Sequence, residues 1–555
     1  MTPRDDDAPR GARRPGSGDG AGPARRGRSG ARAGRDPAGA RDGRDPAGAG
    51  DGRDRAGAPG RRDAAGRERG AARSAGRVSR TASAPSARRR DADPARGAAF
   101  DVLREVDGSD AYANLVLPPM LRERGISGRD AGFATELAYG TLRLRGRYDA
   151  IIEQCAGGRT LDRIDPPVLD LLRLGAHQLL GMRVPPHAAV SETVGLARAR
   201  TGAGSAQFVN AVLRAVSAQD LDTWLERVAD AADPAGTDGV ARLAVTHSHP
   251  VWVTRALREA LVGHGREVDE IEALLTADND APGVTLVARP GLADVAEVRE
   301  QTRDRSAAGR WSPYAVVLSG GDPGALPAVR DGRAGVQDEG SQVVALALAG
   351  AALEGPDRRW LDLCAGPGGK SALLAALAHG RGARLVANEV QPHRARLVER
   401  ALAAVPTDAV EAVRVGDGRT VGEDEPAGYD RVLVDAPCTG LGALRRRPES
   451  RWRRTPADLA QLGQLQRALL TSALAAVRPG GVVAYVTCSP HLAETQLVVK
   501  DVLRRRDDVE VLDARDAVRD VAGPDVPLTD RRDVQLWPHV HGTDAMFLTL
   551  LRRRA

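Results

Sequence analysis

The chain has 555 residues, with 80 Lys+Arg against 74 Asp+Glu, a formal net charge of +6 and a pI near 9.5. Residues 1–94 hold 23 Arg and 13 acidic residues, a net +10, so the remainder carries −4 and the basicity belongs to the first part of the chain alone. Aromatics are 3% of residues and hydrophobics 42%, which excludes an aromatic-rich core but allows one of Ala, Val and Leu.

Residues 1–94 are Gly, Ala, Arg, Asp and Pro, with a near-repeat of GRDPAGA from Gly34, again from Gly43, and GRDRAGA from Gly52. Such a segment buries too little apolar surface to offset its ordering entropy, so a disordered tail is expected, with a weak attraction for RNA. From Ala95 to about residue 230 apolar residues recur at three and four, as in Pro167-Val168-Leu169-Asp170-Leu171-Leu172-Arg173-Leu174, which predicts an all-α domain. Val184-Pro185-Pro186-His187 breaks two of its helices, and Glu192 and Thr193 are read as opening the second. Residues 231–330 form a connector or small α/β module, with a helix after His249-Pro250 and a strand over 283–289.

From 331 to 555 strands and helices alternate. Strands are predicted at 358–364, 383–390, 411–416, 429–435 and 481–488, and helices at 370–379, 392–403 and 456–477. That alternation argues a parallel, doubly wound sheet, with its ligand crevice beyond the carboxyl ends of the strands. The fold class is therefore multidomain: tail, helical domain, connector, and an α/β domain.

Four segments carry chemistry. Leu361-Asp362-Leu363 runs into Cys364-Ala365-Gly366-Pro367-Gly368-Gly369-Lys370-Ser371 and straight on into a helix, the arrangement that lets backbone N–H groups approach a ligand. Cys364 stands where a phosphate-binding P-loop needs its first glycine, which disfavours an ATPase. Glu389 ends the second strand about 20 residues after the loop, where a carboxylate reaches ribose hydroxyls. Asp417 follows the third, placed to accept from an adenine amino group. Together they describe an adenosine pocket without a diphosphate fingerprint, favouring S-adenosyl-methionine over a dinucleotide.

The fourth and fifth strands end in Asp435-Ala436-Pro437-Cys438 and Thr487-Cys488-Ser489, two thiols at one crevice in a chain with four cysteines. A lone Cys is usually a small buried apolar residue, but a pair at this place points to covalent catalysis. Carbon 5 of cytosine is a poor nucleophile until a thiolate adds to carbon 6. Asp435 is then suited to hold the cytosine edge, and Lys370, one of two lysines beside Lys500, to orient nearby carboxylates. A non-catalytic RNA-binding factor is the second reading, and the intact thiol pair argues against it.

With these segments assembled, residues 95–555 resemble the RsmB/Sun (Fmu) family of ribosomal RNA small-subunit methyltransferases. The carrying segments are Cys364 to Lys370, Asp435 to Cys438, Thr487 to Ser489, Gly335 to Gln342, and Trp537-Pro538-His539 with Gly542 to Phe547. Glu136 to Gly140, Pro185 to Ala189 with Glu192-Thr193-Val194, and Val209 to Arg214 resemble a NusB-like RNA-binding domain. The resemblance implies a Rossmann-like methyltransferase domain and transfer from S-adenosyl-methionine to one 16S rRNA cytosine, conventionally position 967. It assigns the nucleophile to Cys488 and product release to Cys438. Glu389 stands where an Asp is common, Thr495 replaces an Asn, and Arg289-Pro290 stands where the connector strand usually ends in Asn.

No apolar run reaches the ~18 residues of a membrane span. The opening Met1-Thr2-Pro3-Arg4-Asp5 lacks a signal peptide's apolar stretch, and no C-x-x-C pair offers a zinc site. A cytoplasmic monomer without a metal or membrane contact is expected, with rRNA as its partner.

Overall fold

The computed structural model describes residues 93–109 and 111–554, so the expected tail lies outside the described residues up to residue 92. From Pro94 to Ala277 every regular element among the described residues is helical. The centre of the first bundle is Pro166–Leu180, whose residues from Val168 to Gln178 are all buried. A helix surrounded by others needs apolar residues on all sides. Most of its polar atoms are paired: Arg173 donates to Asp149 at 2.6 Å and to Asp170 at 3.0 Å, and His177 Nδ1 lies 2.8 Å from the Tyr148 hydroxyl, while His177 Nε2 is buried without a hydrogen-bond partner. The helix after the Pro-Pro break is Pro186–Thr201, so it opens at Pro186 rather than at Glu192. Proline's fixed φ and missing N–H suit the first helical position, and this outweighs the capping residues downstream.

The 231–330 region serves two parts of the molecule. Helices Val251–Gly263 and Ile271–Ala277 share a core with Leu441, Leu444 and Trp537 of the C-terminal part. Beyond them an antiparallel sheet is built from β1 (Val284–Ala288), β2 (Ser306–Ala308), β3 (Ala315–Leu318) and β4 (Ala334–Val336), in the order β2-β3-β1-β4. Strand β4 pairs Val336 with Leu286, so the sheet extends past residue 330.

The C-terminal sheet contains β5 (Arg359–Asp362), β6 (Arg384–Glu389), β7 (Val410–Val415), β8 (Tyr429–Asp435), β9 (Val477–Thr487), β10 (Val509–Val511), β11 (Val534–Gln535) and β12 (Phe547–Arg553). Its order is β10-β12-β9-β8-β5-β6-β7, with β11 pairing β12. Strands β5 to β9 are parallel, as the alternation of elements requires. The purely parallel sheet is corrected at one end, where β12 runs antiparallel to β9 and β10 and β11 antiparallel to β12. The cause is where the chain re-enters. Ala545 N–H bonds Gly442 O at 2.8 Å on the crevice side, so β12 starts beside Thr487 and runs the opposite way.

Side-chain alternation divides the central strands between two cores. Leu433, Val482, Ala484 and Val486 face one cluster, shared with helices Glu339–Gly350 and Gly369–His379. Val432, Val434, Val483 and Tyr485 face the other, shared with Pro456–Ala476. No helix among the described residues is long and apolar enough to cross a membrane.

Candidate active site

Strand order reverses where β5 lies between β6 and β8, which opens a crevice beyond their carboxyl ends. The Gly-rich loop leaves β5 at this point. Gly368 has φ +93°, and a Cβ there would meet Val398 Cα at 2.9 Å and Ala401 Cβ at 2.8 Å. Only glycine permits both the turn and the close packing. The helix Gly369–His379 then starts with N–H groups open toward the crevice.

The carboxylates around the loop have distinct surroundings. Gly366 N–H donates to Glu389 Oε2 at 2.9 Å, and Gln391 N–H donates to Glu389 Oε1 at 3.0 Å. Glu389 therefore braces the loop across the ends of β5 and β6. Ser371 Oγ donates to Asp362 at 2.7 Å, and burial pushes the Asp362 carboxyl up to about 7. The other Asp362 oxygen is buried without a partner. Asp417 is the most exposed of the group, and its carboxylate is bound by the Arg419 guanidinium at 2.9 Å. Asn388, given no role by the sequence reading, donates to Leu363 O and Gly416 O at 3.1 Å each and ties the ends of three strands together.

Lys370 Nζ donates to Asp435 Oδ2 at 2.8 Å, joining the first helix turn to the end of β8. Burial opposes the lysine's charge, yet the Asp435 carboxylate holds it above its ordinary value. Beside this pair, Cys438 Sγ and Cys488 Sγ are 3.4 Å apart, both partly buried and both free thiols. The bond with Cys438 lowers the Cys488 thiol against its burial and the Asp435 carboxylate, and Lys370 and Arg447 act in the same sense as the bond. The same bond, followed by burial and Glu494, raises Cys438. The two thiols titrate as a coupled pair, with Cys488 held down and Cys438 held up. Cys364 is different: burial and the nearby Asp362, Asp435 and Glu389 hold its thiol well above the usual range. It belongs to the loop and has no thiol partner.

Glu494 was not flagged by its sequence context. It is wholly buried and accepts from Thr439 N at 2.8 Å and Gln466 Nε2 at 3.2 Å, clamping the turn after Cys438. The signal, an acidic residue six positions after Cys488, is too common to read without the fold. Gly442 completes the enclosure by donating its N–H to Cys488 O at 2.9 Å.

Fold and crevice together define an α/β methyltransferase of the Rossmann-like class. A family model described as 16S rRNA methyltransferase RsmB/F matches residues 351–552, and a NusB family model matches residues 93–218. A Mycobacterium tuberculosis (strain H37Rv) protein with a provisional methyltransferase name, Rv1407, is 54% identical over 466 residues, covering 84% of this chain and 98% of that one. A Bacillus subtilis (strain 168) protein named as a probable ribosomal RNA small subunit methyltransferase B is 30% identical over 475 residues, covering 83% and 98%. The crystal structure of PH0851 has the same fold, with a TM-score of 0.67 at 21% identity, covering 83% of this chain and 99% of that chain. The chain belongs to the RsmB/F family of 16S rRNA methyltransferases, with a NusB domain ahead of the catalytic one.

Proposed function

We propose that this protein transfers the methyl group of S-adenosyl-methionine to carbon 5 of one cytosine in 16S rRNA, conventionally position 967, as a cytoplasmic monomer. The observation that carries the reading is the 3.4 Å thiol pair at the ends of β8 and β9, beside the Lys370–Asp435 bond.

The residues present fit the cofactor. The helix start at Gly369, the loop Cys364-Ala365-Gly366-Pro367-Gly368-Gly369-Lys370 and the acids Glu389, Asp417 and Asp435 would hold it, with the glycine turn at Gly368 seating the loop against Val398 and Ala401. S-adenosyl-methionine supplies an electrophilic methyl group there.

The chain's own residues then do the rest. Cys488, the lowered thiol of the pair, adds as thiolate to cytosine carbon 6 and makes carbon 5 nucleophilic. Asp435, steadied by Lys370, holds the cytosine by accepting from its N4 amino group, and the Lys370 ammonium beside it offsets the negative charge that develops on the ring. After transfer, Cys438, having released its own proton to solvent, takes the carbon 5 proton as a thiolate, the carbon 5–hydrogen electrons re-form the 5,6 double bond, and the carbon 6–sulfur bond breaks to return Cys488 as thiolate. The raised proton affinity of Cys438 suits the group that takes this proton.

Methyl transfer to unmodified 16S rRNA by wild type, Cys488→Ala and Cys438→Ala tests the scheme. Cys488→Ala is expected to lose activity, and Cys438→Ala to accumulate a covalent protein–RNA adduct on denaturing gels. Full activity in Cys488→Ala sinks the mechanism. An adduct that forms only when Cys438 is present reverses the two roles.

A further inference from the structure

The arm that follows Cys438 crosses from the thiols to the helical domain. Gly442 bonds Cys488, Glu449 Oε1 accepts from Ala113 N at 3.1 Å, and Arg453 donates to Val106 O and Ala111 O at 2.6 and 2.7 Å. Between Arg445 and Arg453 the arm holds five arginines. Arg445 and Arg446 bind Asp338 and Asp544, Arg451 is wholly buried among carbonyls, and Arg453 is turned inward.

Arg447 differs from all four. It is exposed and forms no ion pair among the described residues, although the buried Glu449 carboxylate feels its charge. Its guanidinium sits 5.0 Å from the centroid of the Tyr112 ring, which Arg453 approaches to 5.4 Å. Tyr112 belongs to the helical domain, directly before the helix Ala113–Glu123. A guanidinium stacked on a ring has its direction fixed while its edge donors stay open, and that planar fork matches a phosphate. Gly442, five positions before it, bonds Cys488 O at 2.9 Å, and the turn that follows returns Arg447 N–H to Ala443 O at 3.0 Å, which places the residue at the rim of the catalytic crevice.

We propose that Arg447, held by Tyr112 of the helical domain, binds a phosphodiester of the RNA strand beside the target nucleotide. The proposal rests on the RNA-methylation reading above. It makes the helical domain part of the crevice: one domain supplies the thiols, and the other supplies the ring that aims the cation. A base entering between the thiols brings its flanking phosphates to the rim, where an unpaired and preoriented guanidinium is the matching donor.

Equilibrium binding of unmodified 16S rRNA across a KCl series tests this with full-length wild type, Arg447→Gln, Arg447→Lys and Tyr112→Leu. Arg447→Gln is expected to weaken binding about tenfold at low salt and to reduce the slope of log affinity against log salt by about 0.7 to 1. Arg447→Lys is expected to keep the slope, because the charge remains. Tyr112→Leu keeps the slope and loses affinity, and S-adenosyl-methionine binding is unchanged in every variant. A wild-type slope in Arg447→Gln overturns the proposal, as does a defect confined to S-adenosyl-methionine binding. If wild type binds 16S rRNA but transfers no methyl group, the methylation reading fails, while the salt slopes still decide the role of Arg447.

Discussion

Two cysteines in contact have unequal chemistry because their surroundings are unequal. Both thiols meet burial and a carboxylate, Asp435 at Cys488 and Glu494 at Cys438, and their mutual bond together with the fields of Lys370 and Arg447 lowers Cys488. A lowered thiol is ionised at lower pH than its neighbour, so iodoacetamide should alkylate Cys488 first as pH is raised, by peptide mass spectrometry. In Cys438→Ala the bond that lowers Cys488 is gone, and the alkylation profile of Cys488 should move to higher pH. Cys438 reacting first, or an unmoved profile, would contradict this ordering. The sequence places both thiols at strand ends, and its residues alone leave their order open. Contact at 3.4 Å, with the Lys370 and Arg447 cations acting on Cys488, distinguishes them.

At the scale of elements, the junction of β5 with the helix Gly369–His379 carries an electrostatic cost. Asp362 ends β5 wholly enclosed, with Ser371 on one oxygen and nothing on the other. Its folded pKa of about 7 lies above the ordinary 3.8, so between those values the folded chain holds a proton that the unfolded chain lacks. The stability this group contributes is therefore present at low pH and lost as pH rises through about 7. Asp362→Asn keeps the shape without the charge. Its urea midpoint should gain on that of wild type between about pH 5 and about pH 8, and a constant difference would show that the carboxyl ionises normally. The strand and its helix are legible from the apolar run and the glycines. The burial of Asp362 is not, since an acid at a strand end is more often solvated.

For the whole molecule, one buried cation joins the helical and catalytic parts. Arg451 is inaccessible to solvent and donates to Arg143 O, Ser248 O, Asp278 O and Asn279 Oδ1 at 2.9 to 3.3 Å. Burial brings its pKa down to about 10, and pushes the neighbouring Asp278 up to about 7. Arg451→Met leaves these acceptors inside without donors. We expect a loss of about 3 kcal/mol or more in chemical denaturation, because each stranded polar group costs about 1–3 kcal/mol. A change under about 0.5 kcal/mol, the size of an ordinary surface substitution, would show that water replaces the guanidinium.

The sequence by itself determined the local events. It marked the five parallel strands, the glycine loop, the two thiols, the acids at the strand ends and a helical domain, since periodicity, glycine and strand-end chemistry act over a few residues. Tertiary structure alone decided the antiparallel return of β12, the joining of Lys370 to Asp435, the clamp at Glu494 and the meeting of Tyr112 with Arg447. Those pairs are separated by tens to hundreds of positions, and no local pattern records which distant side chain will satisfy a buried charge. The first arithmetic had the same limit: the net charge of +6 reflects the first 94 residues. The cation proposed to meet RNA is one arginine, distinguished from the other four on its arm by what surrounds it.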